Sequence, residues 1–473
     1  MKIPYISIIL FLLSNTYFAV AETWNDVSRL NQTKVAKIVE AKTESDLLLA
    51  IEYARQHKKQ ISISGTQHSQ GGHIATLDGV VLDMRSFNQI MNISAKDKTI
   101  QVQSGVTWDH IQKVINPLGL SVKVMQSSNI FSIGGSISAN VHGRDPSYGP
   151  LVDTILSLKV LLSDGRILQA SRTTNSELFR AIIGGYGALG IILEAKIALT
   201  DNVLLKKTVH AVKYDEYWQQ LKQDLAKGLS LHFGRCSFVQ GKHFLDDCFQ
   251  INYTVADAKR YTNPLHQESH IQRNRTFFHF SRQSNLGKHL RWSLQKSIID
   301  PAGKTSFISR NNAMRPPIQF LAYNSLKDTD ILQEYFVPVE AFASYLDDMR
   351  TILRHHHVNL LSMTIRYVKA DEVTLLPYAT KEMLAIVIYV NQSLDKTAID
   401  TARQWTQQLV QSALKHQGTY YLTYQRYPTL SQFYQAYPQW QQWKKMKEKY
   451  DPSGLWMNQF YQHYFSVPVK SEK

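Results

Sequence analysis

Two stretches decide how this chain is read: Ser64-Gly65-Thr66-Gln67-His68-Ser69-Gln70-Gly71-Gly72 and Ser132-Ile133-Gly134-Gly135-Ser136-Ile137-Ser138-Ala139-Asn140-Val141-His142-Gly143. Each follows an apolar run and is built largely of small residues. Glycine tolerates unusual backbone angles, and successive main-chain N–H groups in such a turn can close on an anion such as a phosphate. His68 sits in the first turn, where it can face whatever the turn holds.

Around these stretches the pattern predicts alternating short strands and helices. Residues 35–39 read as a strand, and Glu44–Gln56 reads as a helix with Thr43 as its N-cap. Strands are expected at 60–64, 80–84 and Thr99–Gln103, and a helix at 108–118. Residues 155–162 and 167–170 form a hairpin across the turn Ser163-Asp164-Gly165-Arg166. A helix at 177–183 ends at Gly184-Gly185, and a strand follows at 190–199. Ser132 to Gly135 reads as a loop. The fold class is α+β, and the character of the chain changes near Asp201. Gln333 to Pro338 starts another strand, and Tyr450-Asp451-Pro452-Ser453-Gly454-Leu455-Trp456-Met457-Asn458 carries strong turn formers.

At 473 residues, 44% of them hydrophobic, the chain suits two lobes rather than one core. Its formal charge of +15 suits anionic partners. Nucleic acid is not expected, because there is no zinc-ligand spacing, Walker loop or arginine-rich tail. Lys2, the apolar run 3–13 and Ala19-Val20-Ala21 read as a secretory leader at 1–21, so the expected location is secreted or periplasmic. An uncleaved N-terminal anchor is the alternative. No other stretch is long and apolar enough to cross a bilayer. The two cysteines, Cys236 and Cys248, flank a turn at Gly241-Lys242; a disulfide and two free thiols both fit. Between Lys259 and Arg315 basic residues accumulate against only Glu268 and Asp300. That run reads as a solvated surface, or as a contact with anionic lipid or a phosphorylated substrate. His355-His356-His357 is not read as a metal site, because adjacent side chains on a regular element cannot all face one ion.

In combination, Gly65-x-x-His68-Ser69, the strand ending at Asp83, Ser104-Gly105, Ser132-Ile133-Gly134-Gly135, His142-Gly143 and Gly184-Gly185-Tyr186-Gly187-x-x-Gly190-Ile191-Ile192 resemble the vanillyl-alcohol-oxidase superfamily, whose members share the p-cresol-methylhydroxylase (PCMH) type of FAD-binding domain. The resemblance covers about residues 35–200 and returns at Tyr450 to Asn458. It is nearest to sugar, polyol and aldonolactone oxidases and to decaprenylphosphoryl-ribose oxidase. It implies an FAD-binding domain of two α/β subdomains at 22–203, an α+β cap at 204–411 over the flavin, and a segment 412–473 that returns to the FAD domain. FAD is the implied cofactor. Without a twin-arginine pair in the leader, such a protein would cross a membrane unfolded and meet its cofactor outside.

The resemblance also assigns roles. Ser64, Gly65, Thr66, Gln67, His68 and Ser69, with Ser132, Ile133, Gly134 and Gly135, would hold the pyrophosphate through backbone N–H groups. Ser127, Ala139, Asn140, His142 and Ile192 would line the rest of the FAD path, and Tyr421 would touch the flavin. His68 stands where relatives carry a histidine bonded to the flavin 8α-methyl; non-covalent FAD is the alternative, and His73 is a rival linker. Arg366, in Met363-Thr364-Ile365-Arg366-Tyr367, matches an active-site arginine of polyol oxidases. Tyr424 stands where relatives place a lysine, and Thr364 where polyol oxidases carry a glutamate.

The implied reaction is oxidation of a CH–OH group of a sugar, polyol or sugar lactone, by hydride transfer to flavin N5, with oxygen or another acceptor. Oxidation of a lipid-linked sugar, with the basic cap insertion on a membrane surface, is a second reading. A flavin-binding protein without turnover and a binding module for anionic polymers are readings of other classes.

Overall fold

The computed structural model describes residues 22–299 and 306–466; the expected leader at 1–21 lies outside the described residues. Helices and sheets are both present, and most strand pairs are antiparallel.

The chain first builds a small parallel sheet. Lys37–Glu40, Val80–Asp83 and Ile61–Ser64 lie side by side in that order. Parallel strands need a crossover, and the helix Glu44–Gln56 supplies one. Thr43 and Asp46 start it with a capping box, and Leu47, Ala50, Ile51 and Ala54 form its buried stripe. The single strand expected at 35–39 is two strands. Thr33–Val35 pairs antiparallel with Glu22–Trp24, whereas Lys37–Glu40 pairs parallel with Val80–Asp83. The chain changes partner at Ala36, whose N–H donates to the Gly79 carbonyl at 2.9 Å.

A second, antiparallel sheet runs Ile167–Ser171, Ile155–Leu161, Ile191–Asp201, Thr99–Gln103, Ile90–Ser94, with Leu120–Val122 on the far end of Ile191–Asp201. The helix expected at 108–118 is α-helical only over Trp108–Ile115. It tightens into a 3₁₀ turn at Asn116–Leu118, around Pro117, and stops at Gly119 with φ 65°. The segment expected as a loop at 132–135 instead opens a short helix, Ile133–Ser138, with Ser132 as its N-cap. The glycines there serve close approach rather than a turn. A Cβ on Gly134 would lie 2.8 Å from the Cβ of Ser104.

The third sheet has eight strands, in the order Ser306–Ser309, Leu204–Lys213, Asp247–Asp257, Leu231–Cys236, Leu360–Val368, Met383–Ser393, Asp328–Pro338, Thr419–Tyr420. Every pair is antiparallel. Phe342–His355 and Lys396–Lys415 pack against each other and contact this sheet. Cys236 and Cys248 are register partners on adjacent strands and are joined as a disulfide.

The basic run is a solvated surface only in part, with Arg273 and Lys296 exposed. It forms the helices Ile271–Gln283 and Asn285–Ile299, and Arg282, Lys288 and Arg291 point inward and are buried. Arg282 pairs with Asp330 at 2.5 Å and stacks on Tyr323; Arg291 stacks on Phe238 and Phe278 and donates to the Leu361 carbonyl. Aromatic faces and carbonyls hold these guanidinium groups, a kind of partner that a charge count does not register.

The C-terminal residues lie on the first sheet. Ile61 donates to the Leu455 carbonyl and accepts from Met457 N–H, each at 2.8 Å, so that Trp456 pairs with Ile61. The Asp451 carboxylate builds this turn. It accepts from the N–H groups of Leu455 at 3.0 Å and Trp456 at 2.9 Å, and it pairs with Lys447. Trp456 is fully buried among Ile61, Leu82, Ala54 and Leu161. Trp456→Ala is expected to lower stability by about 3–5 kcal/mol, read as a reduced urea midpoint; a change within measurement error would show that the tail does not carry this core.

Candidate active site

The site grows from Ser64, the last residue of a parallel strand. Its hydroxyl accepts from Trp24 Nε1 at 3.1 Å, which holds the side chain away from the turn at Gly65. The chain then turns through Gly65, with Gln67 in the left-handed region at φ 62°. Among the described residues, none accepts a hydrogen bond from the backbone N–H groups of Thr66 through Ser69. The two glycine-rich segments meet here: a Cβ on Gly65 would lie 2.3 Å from Ser132 Oγ. In the second segment the N–H groups of Ile133 and Gly134 already donate to the carbonyls of Val106 at 2.8 Å and Ser104 at 2.7 Å.

Both segments line one cavity of about 1080 Å³, at the top of the range of small-molecule sites. Gly65, Thr66, Gln67, His68, Ser69, Ser127, Ser132, Gly134, Gly135, Ala139, His142, Ile192, Arg366, Tyr421 and Tyr424 all face it. Ser64, Ile133 and Asn140 do not. Ile133 is in the hydrophobic core. Asn140 is tied to Asp371 at 2.8 Å and to Val152 N–H at 3.0 Å.

The opposite wall is one face of the eight-stranded sheet. Alternate residues of four adjacent strands reach the cavity: Phe233 and Arg235; Ser362, Thr364 and Arg366; Val387 and Tyr389; Asp330, Leu332 and Glu334. This is the period-two pattern of a strand. The register aligns Arg235, Thr364, Val387 and Glu334 as one row across the sheet.

Glu334 Oε1 lies 2.5 Å from His142 Nε2, and both side chains are buried. Arg366 Nη2 donates to Ser127 Oγ at 2.5 Å. Burial lowers the Arg366 pKa, and nearby Glu334 opposes that shift. Burial raises the Tyr421 and Tyr424 phenols well above their ordinary value, so both stay protonated at neutral pH. Tyr421 donates to the Ala139 carbonyl at 2.7 Å, which leaves its ring to face the cavity. His68 packs edge-on to Phe131 at 4.6 Å; its Nδ1 is buried without a partner, and burial holds its pKa below the ordinary value. The sequence reading missed Glu334, Arg144 and Arg235. The apolar alternation around Glu334 marks it as inward-facing, but its meeting with His142, 192 residues away, is set by tertiary packing alone.

The residues present fit a bound dinucleotide. Open N–H groups in the first segment, the unpartnered His68 Nδ1 and Ser104 Oγ, and the missing side chain at Gly65 all address the same space. A family model for the FAD binding domain matches residues 35–171, and one for D-arabinono-1,4-lactone oxidase matches residues 255–464. Residues 35–171 thus carry an FAD-binding domain, and the chain is similar to flavoproteins with the PCMH-type domain. Relatives include an FAD-linked oxidoreductase of Neurospora crassa, 28% identical over 38% of this chain and 36% of the relative. L-gulonolactone oxidase of Bos taurus is 26% identical over 38% and 41%. Decaprenylphosphoryl-beta-D-ribose oxidase of Mycolicibacterium smegmatis is 30% identical over 31% and 32%. The chain thus spans well under half the length of these three relatives. FAD is the cofactor of the fold.

The Arg144 carbonyl in the cavity wall accepts from the backbone N–H of His232 at 2.7 Å. The His232 ring is buried between Tyr217 Oη at 3.0 Å and Asn252 Oδ1 at 2.6 Å, and burial lowers its pKa from 6.5 to about 4. In the pH range between those values the unfolded chain binds the extra proton. Stability is therefore complete above about pH 6.5 and falls toward pH 4, by on the order of 3 kcal/mol. His232→Gln is expected to remove this part of the acid sensitivity. Urea midpoints at pH 7 and 4.5 check it, and parallel pH profiles for the two proteins would refute it.

Proposed function

We propose that this protein is an exported FAD-dependent oxidoreductase that oxidises a CH–OH group of a sugar, polyol or sugar lactone. The observation that carries the reading is the single cavity in which the glycine-rich segments face Arg366, Tyr424 and the His142–Glu334 pair. When bound, FAD supplies the two-electron acceptor for the hydrogen leaving carbon. The chain handles the other proton. The His142–Glu334 pair is a buried acceptor for the hydroxyl proton. Tyr424, held neutral, hydrogen-bonds the substrate oxygen and orients it. Arg366 supplies positive charge where the oxygen becomes electron-rich. The sheet face above excludes bulk water and serves as the cap; it takes in Thr419–Tyr420, beyond the break expected at 411, and the chain returns to the first sheet at Leu455–Met457. Export is supported by the leader at 1–21 and by the Cys236–Cys248 disulfide, which suits an oxidising compartment.

His68 is proposed as the covalent link to FAD. A neutral imidazole is the nucleophile that this bond needs, and burial keeps His68 neutral.

A second reading, oxidation of a lipid-linked sugar at an anionic membrane surface, is favoured by one helix. Asn285–Ile299 exposes Leu286, Leu290, Leu294 and Ile298, which are 63%, 49%, 49% and 64% exposed and spaced four apart on one face. Leu294 and Ile298 also line the cavity. His289 and Lys296 are exposed beside them, and no acidic residue occurs between Ile271 and Ile299. An apolar stripe with basic neighbours is the pattern of an interfacial helix.

Purified protein is expected to show flavin absorbance that polyols, aldoses or aldonolactones bleach under anaerobic conditions. Acid precipitation is expected to leave the yellow colour on wild type and release it from His68→Ala. Intact flavin untouched by the whole panel would mark a silent flavin-binding protein, and colour released from wild type would end the covalent assignment. For the second reading, the protein is expected to co-sediment with phosphatidylglycerol vesicles and Leu286→Asp/Leu290→Asp to stay in solution; wild type remaining in solution rejects it.

A further inference from the structure

Arg144, Arg235 and Arg366 line one part of the cavity wall, and none of them makes an ion pair with a carboxylate among the described residues. Arg144 Nη2 donates to Ser127 Oγ at 3.1 Å, the same oxygen that receives Arg366 Nη2 at 2.5 Å. Two guanidinium groups thus converge on one neutral hydroxyl. Arg144 is otherwise held by the Ala313 carbonyl at 2.9 Å and by the face of Phe233 at 4.3 Å; its Nε is buried without a partner, as is that of Arg366. Arg235 stands on the neighbouring strand, opposite Thr364. Among the described residues its side chain makes no hydrogen bond or ion pair, and it too faces the cavity.

The nearby acids are committed elsewhere. Glu334 holds His142, Asp330 holds Arg282, and Asp145 holds Arg310. Like charges drawn together in a partly dry wall repel one another, and burial adds to the cost of charging them. The Arg144 pKa is lowered to about 9 by burial and by Arg366, and burial lowers Arg235 as well. A molecule that brings a negative charge into this corner relieves both effects, and guanidinium forks match the planar oxygens of carboxylates and phosphates.

We propose that Arg144 and Arg235 form an oxyanion-binding subsite, and that the substrate is an acidic sugar or polyol carrying a carboxylate or a phosphate. This rests on the oxidoreductase reading and deepens it. The subsite lies beside Arg366 on the same sheet face, so that one end of the substrate is anchored while a hydroxyl further along reaches His142 and Glu334. Thr364, between Arg235 and Arg366 on that face, adds no charge to offset them.

The test uses the FAD-loaded full chain. Inorganic phosphate, D-gluconate and D-ribose 5-phosphate are titrated against the flavin absorbance spectrum, with D-glucitol and D-ribose as neutral controls. Steady-state oxidation is then measured for whichever members of the set reduce the flavin. Arg235→Gln and Arg144→Gln are compared with wild type; Arg235 makes no structural bond, so its variant keeps the test open should Arg144→Gln fold poorly. The anionic probes are expected to perturb the flavin spectrum and the neutral ones not. KM for the acidic substrate is expected to rise about tenfold or more in either variant, with kcat within roughly twofold. Flavin per chain is expected to stay the same. A preference for gluconate assigns a carboxylate, and one for ribose 5-phosphate assigns a phosphate.

Equal affinity for acidic and neutral sugars overturns the proposal. So does loss of flavin from Arg235→Gln, which would give the arginines to the cofactor. If no sugar reduces the flavin while phosphate or gluconate still binds in an Arg235-dependent way, the oxidoreductase reading fails and the anion subsite stands.

Discussion

The absence of a side chain at residue 65 sets the distance between the two glycine-rich segments. Gly65 faces Ser132 so closely that even a methyl group would collide with its hydroxyl. Gly134 repeats the condition one layer away, against Ser104. These contacts join the end of the parallel sheet to the antiparallel one, and the cavity floor is the seam between them. Ser64 and Ile133 flank the seam but are turned into packing, so the floor presents backbone and small hydroxyls rather than bulk. A surface of that kind suits a diphosphate, which needs close N–H groups more than it needs charge.

The opposite wall depends on register. Four antiparallel strands must align for Arg235, Thr364, Val387 and Glu334 to form a row, and each pairing is long-range in sequence. A slip of one residue in any of them would send its contribution to the other face of the sheet. The wall is also asymmetric in charge. At one end Glu334 and His142 form a buried pair. Toward the other, Arg144 and Arg235 make no ion pair, and Arg366 stands between them and Glu334. A substrate lying along the row meets a proton acceptor at one end and positive charge at the other.

What could be read from the sequence was whatever is written locally. The capping box at Thr43, the strand Thr99–Gln103 and the hairpin around Gly165 are each specified within about twenty residues, and they form where local rules place them. The Asp451 turn belongs with them, because its carboxylate bonds only to its own next few residues and to Lys447. The glycine-rich segments were legible as close-approach sites, though not as a helix start at Ile133. The switch of sheets at Ala36 was hidden, since no glycine, proline, asparagine or aspartate marks a break between Thr33 and Glu40. The inward turn of Arg282, Lys288 and Arg291 was hidden for a different reason. Most partners of the two arginines, Tyr323, Phe238, the Leu361 carbonyl and Asp330, lie far from them in sequence. Glu334 and Arg235 were unremarkable members of apolar strands until tertiary packing brought Glu334 to His142 and the register set Arg235 opposite Thr364.

The disulfide bears on that register. Cys236 follows Arg235 directly and is bonded to Cys248, its partner on the adjacent strand. Successive residues of a strand point to opposite faces, so a cysteine fixed on one side holds its neighbour on the other. Hydrogen bonds alone would let the hairpin 231–257 trade one pairing for another, displaced by a residue, at the cost of core packing. The covalent bond removes that alternative at the end of the hairpin nearest the cavity. Arg235 is therefore held toward the cavity although none of its own polar atoms is bonded to the protein. A long, flexible cation without hydrogen-bond partners would ordinarily swing into solvent; here the strand beneath it cannot turn. The fold thus keeps an unpaired charge in place, which is the condition under which that charge can select what enters.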